Sequence, residues 1–296
     1  MKIIRATHYG MCFGVRDAIA LALEQSQTEP LTILGDLVHN ESVMAGLRAR
    51  GLQVVQNAEE AATRRVMVTA HGASERAVER VRERGHEVMD ATCPLVHFAH
   101  RALRELVAAG FYPVVVGKRG HVEVRGLTGD LDEFDVILHE EDVLALRERP
   151  RIGIAAQTTQ PIDRVMRLVE LIRQRFPASE VTLVDTVCRP TKQRQAAAVE
   201  IARQVDVVIV IGGLHSNNTR ELVQSCAQHC RRVHHVRTAA DLRGEWFART
   251  DTVGLTAGTS TPDALLDEVE QWLRALPLPE PRPAEHAATD VSLKAA

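Results

Sequence analysis

The chain has 296 residues, of which 45% are hydrophobic and 25% are charged, and this composition excludes a mostly disordered protein. Its formal net charge of -3 gives no basic field of the kind that attracts nucleic acid or an anionic membrane surface. Apolar runs such as Val207–Ile211 are far shorter than the roughly 20 residues of a membrane span, and no signal-peptide pattern opens the sequence. We therefore expect a cytoplasmic protein. Its length fits about two domains or one large α/β unit.

Short apolar runs alternate with amphipathic stretches along the whole chain. The runs predicted as strands are Ile3–Ala6, Leu31–Leu34, Val66–Thr69, Val114–Gly117, Val136–Leu138, Ile152–Ala155, Val181–Val184, Val207–Ile211, Val233–Val236 and Thr252–Leu255. The helices predicted between them include Val15–Gln25, Ser74–Arg84, Leu95–Ala109, Ile162–Phe176, Lys192–Gln204 and Asn218–Gln228. Continuously apolar strands that alternate with helices predict an α/β fold with parallel sheets covered on both faces. From Pro277 onward, prolines and a polar, alanine-rich end predict a disordered tail over 277–296.

Polar motifs follow six of the predicted strands. In chain order they contain His39 with Asn40, His71, His121 with Glu123, Gln157–Gln160, His215–Thr219 and Thr256–Thr261. Ligands of parallel α/β sheets bind just beyond the carboxyl ends of the strands. The recurrence of polar groups at this position therefore predicts one shared site.

Two of these motifs, Ser216–Asn218 and Thr259–Ser260, are predicted to open helices. Serine, threonine and asparagine at that position act either as simple helix caps or as part of an anion-binding helix terminus. No phosphate-loop or dinucleotide glycine pattern accompanies them, so a nucleotide site is not supported.

The histidines at strand ends leave several interpretations open. Each of His39, His71 and His121 is either structural, a metal ligand, an acid–base group or a phosphate donor, but no local zinc-binding spacing surrounds them. Glu123 is predicted in a loop next to glycines. There it is either a solvated surface acid or, if it faces the shared site, the natural proton carrier.

Five cysteines in a chain of this length and type do not predict a disulfide framework. We expect Cys226 and Cys230 to be ordinary helix cysteines, with a soft metal site beside His229 as the alternative. The other three cysteines are either small buried residues or thiolates contributed by three separate units; they are Cys12, Cys93 and Cys188. Iron–sulfur clusters are usually held by four thiolates, so three would leave one iron open to act as a Lewis acid.

Taken together, these residues resemble a known family. The motifs occur in order as Gly-x-Cys-x-Gly-Val at 10–15, Val-His-Asn at 38–40, Ala-His-Gly at 70–72, Asp-Ala-Thr-Cys-Pro-Leu-Val at 90–96, Gly-His-x-Glu-Val at 120–124, Gln-Thr-Thr at 157–159, Arg-Gln at 194–195, Ser-x-Asn at 216–218 and Thr-Ala-Gly-x-Ser-x-Pro-Asp at 256–263. Over about residues 1–275 the chain is similar to the 4-hydroxy-3-methylbut-2-enyl diphosphate reductases, the IspH or LytB family.

The resemblance implies a trefoil of three small α/β domains, related by a pseudo-threefold axis, around a central [4Fe–4S] cluster. The implied domains are 13–93, 94–187, and 188–276 together with 1–12. The implied cluster ligands are Cys12, Cys93 and Cys188, with one iron open. The implied catalytic residues are Glu123, Thr158 and His121. The implied substrate-binding residues are His39, His71, His121, Thr158, Ser216, Asn217, Asn218 and Ser260.

The activity implied by the resemblance is reductive removal of an allylic hydroxyl from (E)-4-hydroxy-3-methylbut-2-enyl diphosphate, giving isopentenyl and dimethylallyl diphosphates. Reduced ferredoxin or flavodoxin is the implied electron donor, and neither nucleic acid nor membrane is an expected partner. The sequence departs from the commoner family pattern at Thr7–Tyr9, Val122, Arg189–Pro190 and Asn217. Two alternatives remain open at this point: a metal-dependent phosphohydrolase and a redox-sensing cluster protein without turnover.

Overall fold

The structure is a computed structural model that describes residues 1–277. Its strands are β1 (Lys2–Arg5), β2 (Leu31–Leu34), β3 (Gln53–Val55), β4 (Arg65–Val68), β5 (Glu87–Asp90), β6 (Tyr112–Val116), β7 (Asp135–Ile137), β8 (Arg151–Ala156), β9 (Glu180–Leu183), β10 (Val207–Ile211), β11 (Val233–Val236) and β12 (Thr252–Ala257). Its α-helices are α1 (Phe13–Ser26), α2 (Glu41–Ala49), α3 (Glu75–Glu83), α4 (Pro94–Ala108), α5 (Val122–Thr128), α6 (Glu140–Ala145), α7 (Ile162–Arg175), α8 (Arg189–Ala202), α9 (Asn217–Ala227) and α10 (Asp263–Ala275).

The strands form three separate four-stranded sheets. The first sheet has the order β3-β2-β4-β5, the second β7-β6-β8-β9 and the third β1-β12-β10-β11. Every pairing within them is parallel. The third sheet joins the two ends of the described chain, because Lys2 of β1 pairs with Thr252 of β12. The predicted α/β class with parallel sheets is confirmed.

Each sheet has its own hydrophobic core. Strand β10 is buried along its whole length, as expected for a central strand that is covered on both faces. Helix α7 places Val165, Leu168 and Ile172 against the second sheet at helical spacing. Burying one such side chain contributes about 1.5–3 kcal/mol. Because these cores stabilise the sheets separately, the polar loops at the strand ends are free to meet one another.

Two strands and a short helix were missed by the apolar pattern. Strands β3 and β5 lie at the edges of the first sheet, hold only two apolar residues each and are partly exposed. An edge strand needs fewer buried side chains, so its hydrophobic signal is weak. The loop predicted around Glu123 is wrong in detail, because this residue lies in the first turn of α5.

The three sheets position their cysteines in the same way. Strands β1, β5 and β9 are each an edge strand, and each leads to a cysteine that directly precedes a helix. These residues are Cys12 before α1, Cys93 before α4 and Cys188 before α8. The central strands instead lead to the histidine, serine, threonine and asparagine loops.

Over residues 1–277, none of the helices combines the length and the apolar character needed to cross a bilayer. The tail predicted for 277–296 lies, after Pro277, outside the described residues. The domain boundaries expected from the resemblance stay a prediction.

Candidate active site

A single cavity brings the strand-end loops of all three sheets together. It encloses about 660 Å³ of empty space, including the part that is open to solvent. All the residues predicted from the sequence for the site line it, namely Cys12, His39, His71, Cys93, His121, Glu123, Thr158, Cys188, Ser216, Asn217, Asn218 and Ser260. Their roles in catalysis and binding stay predictions.

The three cysteines are free and half-buried. The Cys188 thiol donates a hydrogen bond of 3.1 Å to Thr191 Oγ1, and Thr191 is fully buried. Burial raises the pKa of Cys188 to about 11 and also raises the pKa of Cys93. Both thiols therefore stay protonated near neutral pH unless a cation binds them, because a coordinating metal displaces the thiol proton.

A glycine allows the first helix to approach the second cysteine. A Cβ on Gly14 would lie 2.3 Å from Cys93 Sγ, which is far inside van der Waals contact. Gly14 is buried in the first turn of α1, directly after Cys12 and Phe13. The sequence reasoning did not assign it a role, although it stands inside the quoted Gly-x-Cys-x-Gly-Val motif.

Three histidine rings form a cluster on one wall of the cavity. The ring centroids of His39 and His71 lie 4.1 Å apart, those of His39 and His121 5.1 Å, and those of His71 and His121 5.8 Å. Burial lowers the pKa of all three side chains, that of His121 to about 3, and the mutual repulsion of their charged forms adds to the effect on His71 and His121. The cluster is therefore neutral at neutral pH.

The hydrogen bonds of the cluster indicate which ring nitrogens are left available for a ligand. The Glu123 backbone N–H lies 3.1 Å from His121 Nδ1, so in the neutral ring Nδ1 is assigned as the acceptor and Nε2 carries the proton. His39 Nε2 is buried and has no partner among the described residues. Both rings can offer hydrogen bonds to a bound oxygen without carrying a charge.

Glu123 is the carboxylic acid of the cavity. It is only 1% exposed, and its Oε1 accepts a hydrogen bond of 2.6 Å from the Thr158 backbone N–H. The Thr158 side chain also lies near the same carboxyl group. Burial raises the pKa of Glu123 to about 7, although the backbone and side chain of Thr158 oppose the shift. The group therefore holds its proton in a substantial fraction of molecules at neutral pH.

The third sheet supplies neutral hydrogen-bond donors. Ser216 caps α9, because its Oγ accepts from the Thr219 N–H at 3.2 Å, and its own O–H has no acceptor within residues 1–277. Asn218 Oδ1 accepts from the Thr259 N–H at 3.0 Å, while Asn218 Nδ2 is buried with no partner in the described chain. A buried amide without an acceptor is costly, so this group is a candidate contact for a ligand.

Contacts between the loops connect the three sheets. Ser260 Oγ donates to the His39 carbonyl at 3.0 Å, and Asn217 Nδ2 lies 3.4 Å from Thr159 Oγ1. The expectation that Thr259–Ser260 opens a helix is wrong, because α10 begins at Asp263 after Pro262. Thr259 is held instead by the Asn218 side chain.

No set of three or more His, Cys, Asp or Glu residues is arranged to hold a single metal ion within residues 1–277. Cys226 is fully buried in α9, and its thiol lies 3.6 Å from the Ala198 carbonyl. Cys230 follows the end of that helix and contacts the Asp206 carbonyl at 3.5 Å. These contacts are those of ordinary packed cysteines.

Curated relatives cover nearly the whole chain. The chain is 37% identical over 279 residues to the 4-hydroxy-3-methylbut-2-enyl diphosphate reductase of Geobacter metallireducens, covering 93% of this chain and 98% of the relative. It is 37% identical over 272 residues to the reductase of the same name from Trichlorobacter lovleyi, covering 91% of this chain and 96% of that relative.

Solved structures show the same arrangement. A structure of (E)-4-hydroxy-3-methyl-but-2-enyl diphosphate reductase is 35% identical, covers 92% of this chain and 99% of its own, and has a TM-score of 0.66. The Plasmodium falciparum reductase, at 24% identity, covers 94% of this chain and 89% of its own with a TM-score of 0.86, which shows the shared trefoil-like fold. The family model described as "LytB protein" matches residues 3–274. The chain therefore belongs to the LytB protein family, whose curated relatives are reductases.

Proposed function

We propose that this protein is an iron–sulfur reductase that converts (E)-4-hydroxy-3-methylbut-2-enyl diphosphate to isopentenyl and dimethylallyl diphosphates. The observation that carries the proposal is one cavity with three free thiols, from the starts of three helices, beside a buried carboxylic acid. The names of the relatives supply the substrate. Replacing the allylic C–OH by C–H breaks the C–O bond, consumes a pair of electrons and a pair of protons, and releases water.

The thiols fit a polynuclear cluster better than a single ion. They share one cavity, yet within residues 1–277 they do not form a single-ion site. Cys12, Cys93 and Cys188 would hold a [4Fe–4S] cluster as thiolates, with one iron free of protein ligands. When bound, such a cluster supplies electrons and a Lewis acid toward the substrate oxygen. Reduced ferredoxin or flavodoxin is the proposed electron donor, in the cytoplasm.

The proton for the leaving hydroxyl is assigned to Glu123. Its raised pKa keeps the acid protonated in a substantial fraction of molecules at neutral pH, and its carboxyl group is buried in the wall of the cavity. The Thr158 side chain lies near the carboxyl group, and a hydroxyl both donates and accepts hydrogen bonds, so Thr158 is assigned to orient the substrate hydroxyl and to pass the proton on. His121 offers Nε2–H as a second, neutral donor.

The diphosphate is assigned to the donors around Asn218. Three of these donors have no acceptor among the described residues, namely Asn218 Nδ2, the O–H of Ser216 and His39 Nε2, and Asn217, Ser260 and His71 lie beside them. Glu123 is the only carboxylate that lines the described cavity, and it serves the proton step. Because no carboxylate pair is present to bind magnesium there, chelation of divalent cations is expected to leave turnover almost unchanged.

Anaerobic purification with iron and sulfide counting tests the cluster. We expect a brown protein that loses its iron in Cys93→Ser, whereas the matched variant Cys226→Ser keeps it, because Cys226 packs against Ala198 outside the cavity. A fully loaded cluster in Cys93→Ser would overturn the ligand assignment. A colourless wild-type protein with strict magnesium dependence would instead support a phosphohydrolase.

A further inference from the structure

We propose that Arg194 is a positioning residue that ties two of the three cysteine-bearing segments together and supplies the buried positive charge beside their sulfur atoms. The inference rests on the proposed function. It deepens that function by assigning a residue that touches neither the substrate nor the cavity wall.

The guanidinium of Arg194 connects two distant parts of the chain. Its Nε donates to the Gly10 carbonyl at 2.9 Å and its Nη2 to the Tyr9 carbonyl at 3.2 Å. Its Nη1 donates to the Pro190 carbonyl at 3.1 Å. Gly10 lies two residues before Cys12, and Pro190 lies two residues after Cys188. One side chain thus fixes the approach to the first cysteine relative to the helix that follows the third.

The charge of this side chain has few partners. Arg194 is only 8% exposed and forms no ion pair with a carboxylate within residues 1–277. Its hydrogen bonds to the Gly10 and Pro190 carbonyls place it two residues along the chain from Cys12 and from Cys188. Once these two cysteines bind a cluster as thiolates, they would supply favourable negative charge, to which Asp263 adds and which Arg16 opposes. Burial lowers the pKa of Arg194, yet an arginine stays protonated under all physiological conditions. A buried cation without a carboxylate is costly unless an anion lies nearby.

An arginine suits both tasks better than a lysine would. Its planar fork presents several N–H groups in fixed directions, and three of its nitrogens are used here on three carbonyls. A lysine would keep the charge but could not hold all three carbonyls in this geometry. The two contributions can therefore be separated by substitution.

A buried positive charge beside the sulfur ligands favours the reduced state of a bound cluster. Reduction adds one negative charge to the cluster, and the attraction to Arg194 is only weakly screened in a buried site. Removing the positive charge is thus expected to shift the midpoint potential of a bound cluster to more negative values. Removing the hydrogen bonds is expected to loosen the chain before Cys12.

The experiment compares Arg194→Gln and Arg194→Lys with the matched control Arg189→Gln. Arg189 directly follows Cys188 but is exposed, so its loss removes the same formal charge without removing a buried one. The first readout is amide hydrogen exchange of a peptide covering residues 9–12 in cluster-free protein, where Gly10 N–H and Cys12 N–H bond to the carbonyls of Ala257 and Thr259. The second is the midpoint potential of anaerobically reconstituted protein, titrated with dithionite, with iron and sulfide counted per chain.

We expect exchange over 9–12 to accelerate at least several-fold in both Arg194 variants and to be unchanged in Arg189→Gln. The potential is expected to fall in Arg194→Gln and to stay near the wild-type value in Arg194→Lys.

Wild-type exchange in Arg194→Gln would overturn the positioning role, and an equal potential shift in Arg189→Gln would overturn the buried-charge role. If Arg194→Gln does not fold, the exchange of Arg194→Lys decides the positioning role. Wild-type protein that takes up no iron would contradict the proposed function instead, and the exchange comparison would still test the positioning role of Arg194.

Discussion

The loops after the edge strands and the loops after the central strands contribute different chemistry to one cavity. The edge strands β1, β5 and β9 lead to half-buried cysteines at helix starts. The central strands lead to more enclosed oxygen and nitrogen groups. Burial raises the pKa of Glu123, and Asn218 Nδ2 has no partner among residues 1–277. The same sheet topology, used three times, therefore separates the three thiols from the carboxyl, imidazole and amide groups.

The largest expected effect is a loss of turnover when Glu123, which follows a central strand, is replaced. Glu123→Gln preserves the shape but removes the acid, and general acid catalysis is typically worth about 10²–10⁴-fold. Turnover should fall by that factor while iron content and substrate affinity stay at wild-type values, as measured by steady-state kinetics and iron counting. Near-normal turnover with a loaded cluster would move the proton donor to His121.

The same residue makes stability depend on pH. Its folded pKa of about 7 lies above its ordinary value, so the folded state binds the proton more tightly, and this contribution is present below about pH 4.5 and is lost as the pH rises through 7. The shift corresponds to roughly 3 kcal/mol as an order of magnitude. Urea unfolding of the cluster-free wild-type protein and Glu123→Gln at pH 5 and 8 measures it.

The comparison of wild type with Glu123→Gln is needed because the histidines change the stability with pH in the opposite direction. Their lowered pKa values remove stability as the pH falls toward 3, and this effect is common to both proteins. If the gap between wild type and Glu123→Gln does not change with pH, the carboxyl is not perturbed by burial.

Replacing Asn218 tests the second function proposed for the loops after the central strands, which is to bind the diphosphate. Asn218→Ala removes a buried donor proposed to bind the diphosphate, and a hydrogen bond to a charged group is worth about 1.5–3 kcal/mol. KM is expected to rise about 10- to 100-fold while the iron content stays constant. Gln224→Ala, on the exposed side of the same helix α9, is the matched control. Loss of iron in Asn218→Ala would show that the two sets of loops are not independent.

The smallest effect is expected where an edge loop is tightly packed. Gly14→Ala places a methyl group against Cys93 Sγ, and overpacking of this kind costs about 1–3 kcal/mol. We expect reduced iron occupancy and a faster loss of the cluster in air. The matched variant Gly46→Ala has open space around its new methyl group and should behave like wild type. Equal occupancy in both variants would mean that α1 can shift away from Cys93.

The apolar pattern predicted the central strands well and the edge strands poorly. Val207–Ile211 is buried on both faces, so its sequence is apolar throughout, and its predicted bounds agree with β10. β5 needs only Val88 and Met89 to stay in its sheet, and its ends are charged. The strand that leads to Cys93 was therefore invisible to periodicity, although the motif around the cysteine was not.

The sequence by itself determined the α/β class, the family and the set of residues that meet in the cavity. These properties follow from local sequence patterns, namely apolar strands, helix starts and short polar motifs in a fixed order. Only the tertiary structure decided that Glu123 is buried in a helix turn with a raised pKa, that Gly14 contacts Cys93, and that Arg194 joins the chain near Cys12 to the helix after Cys188. Burial and contacts between residues far apart in sequence depend on how three separate sheets come together, and no local pattern records that.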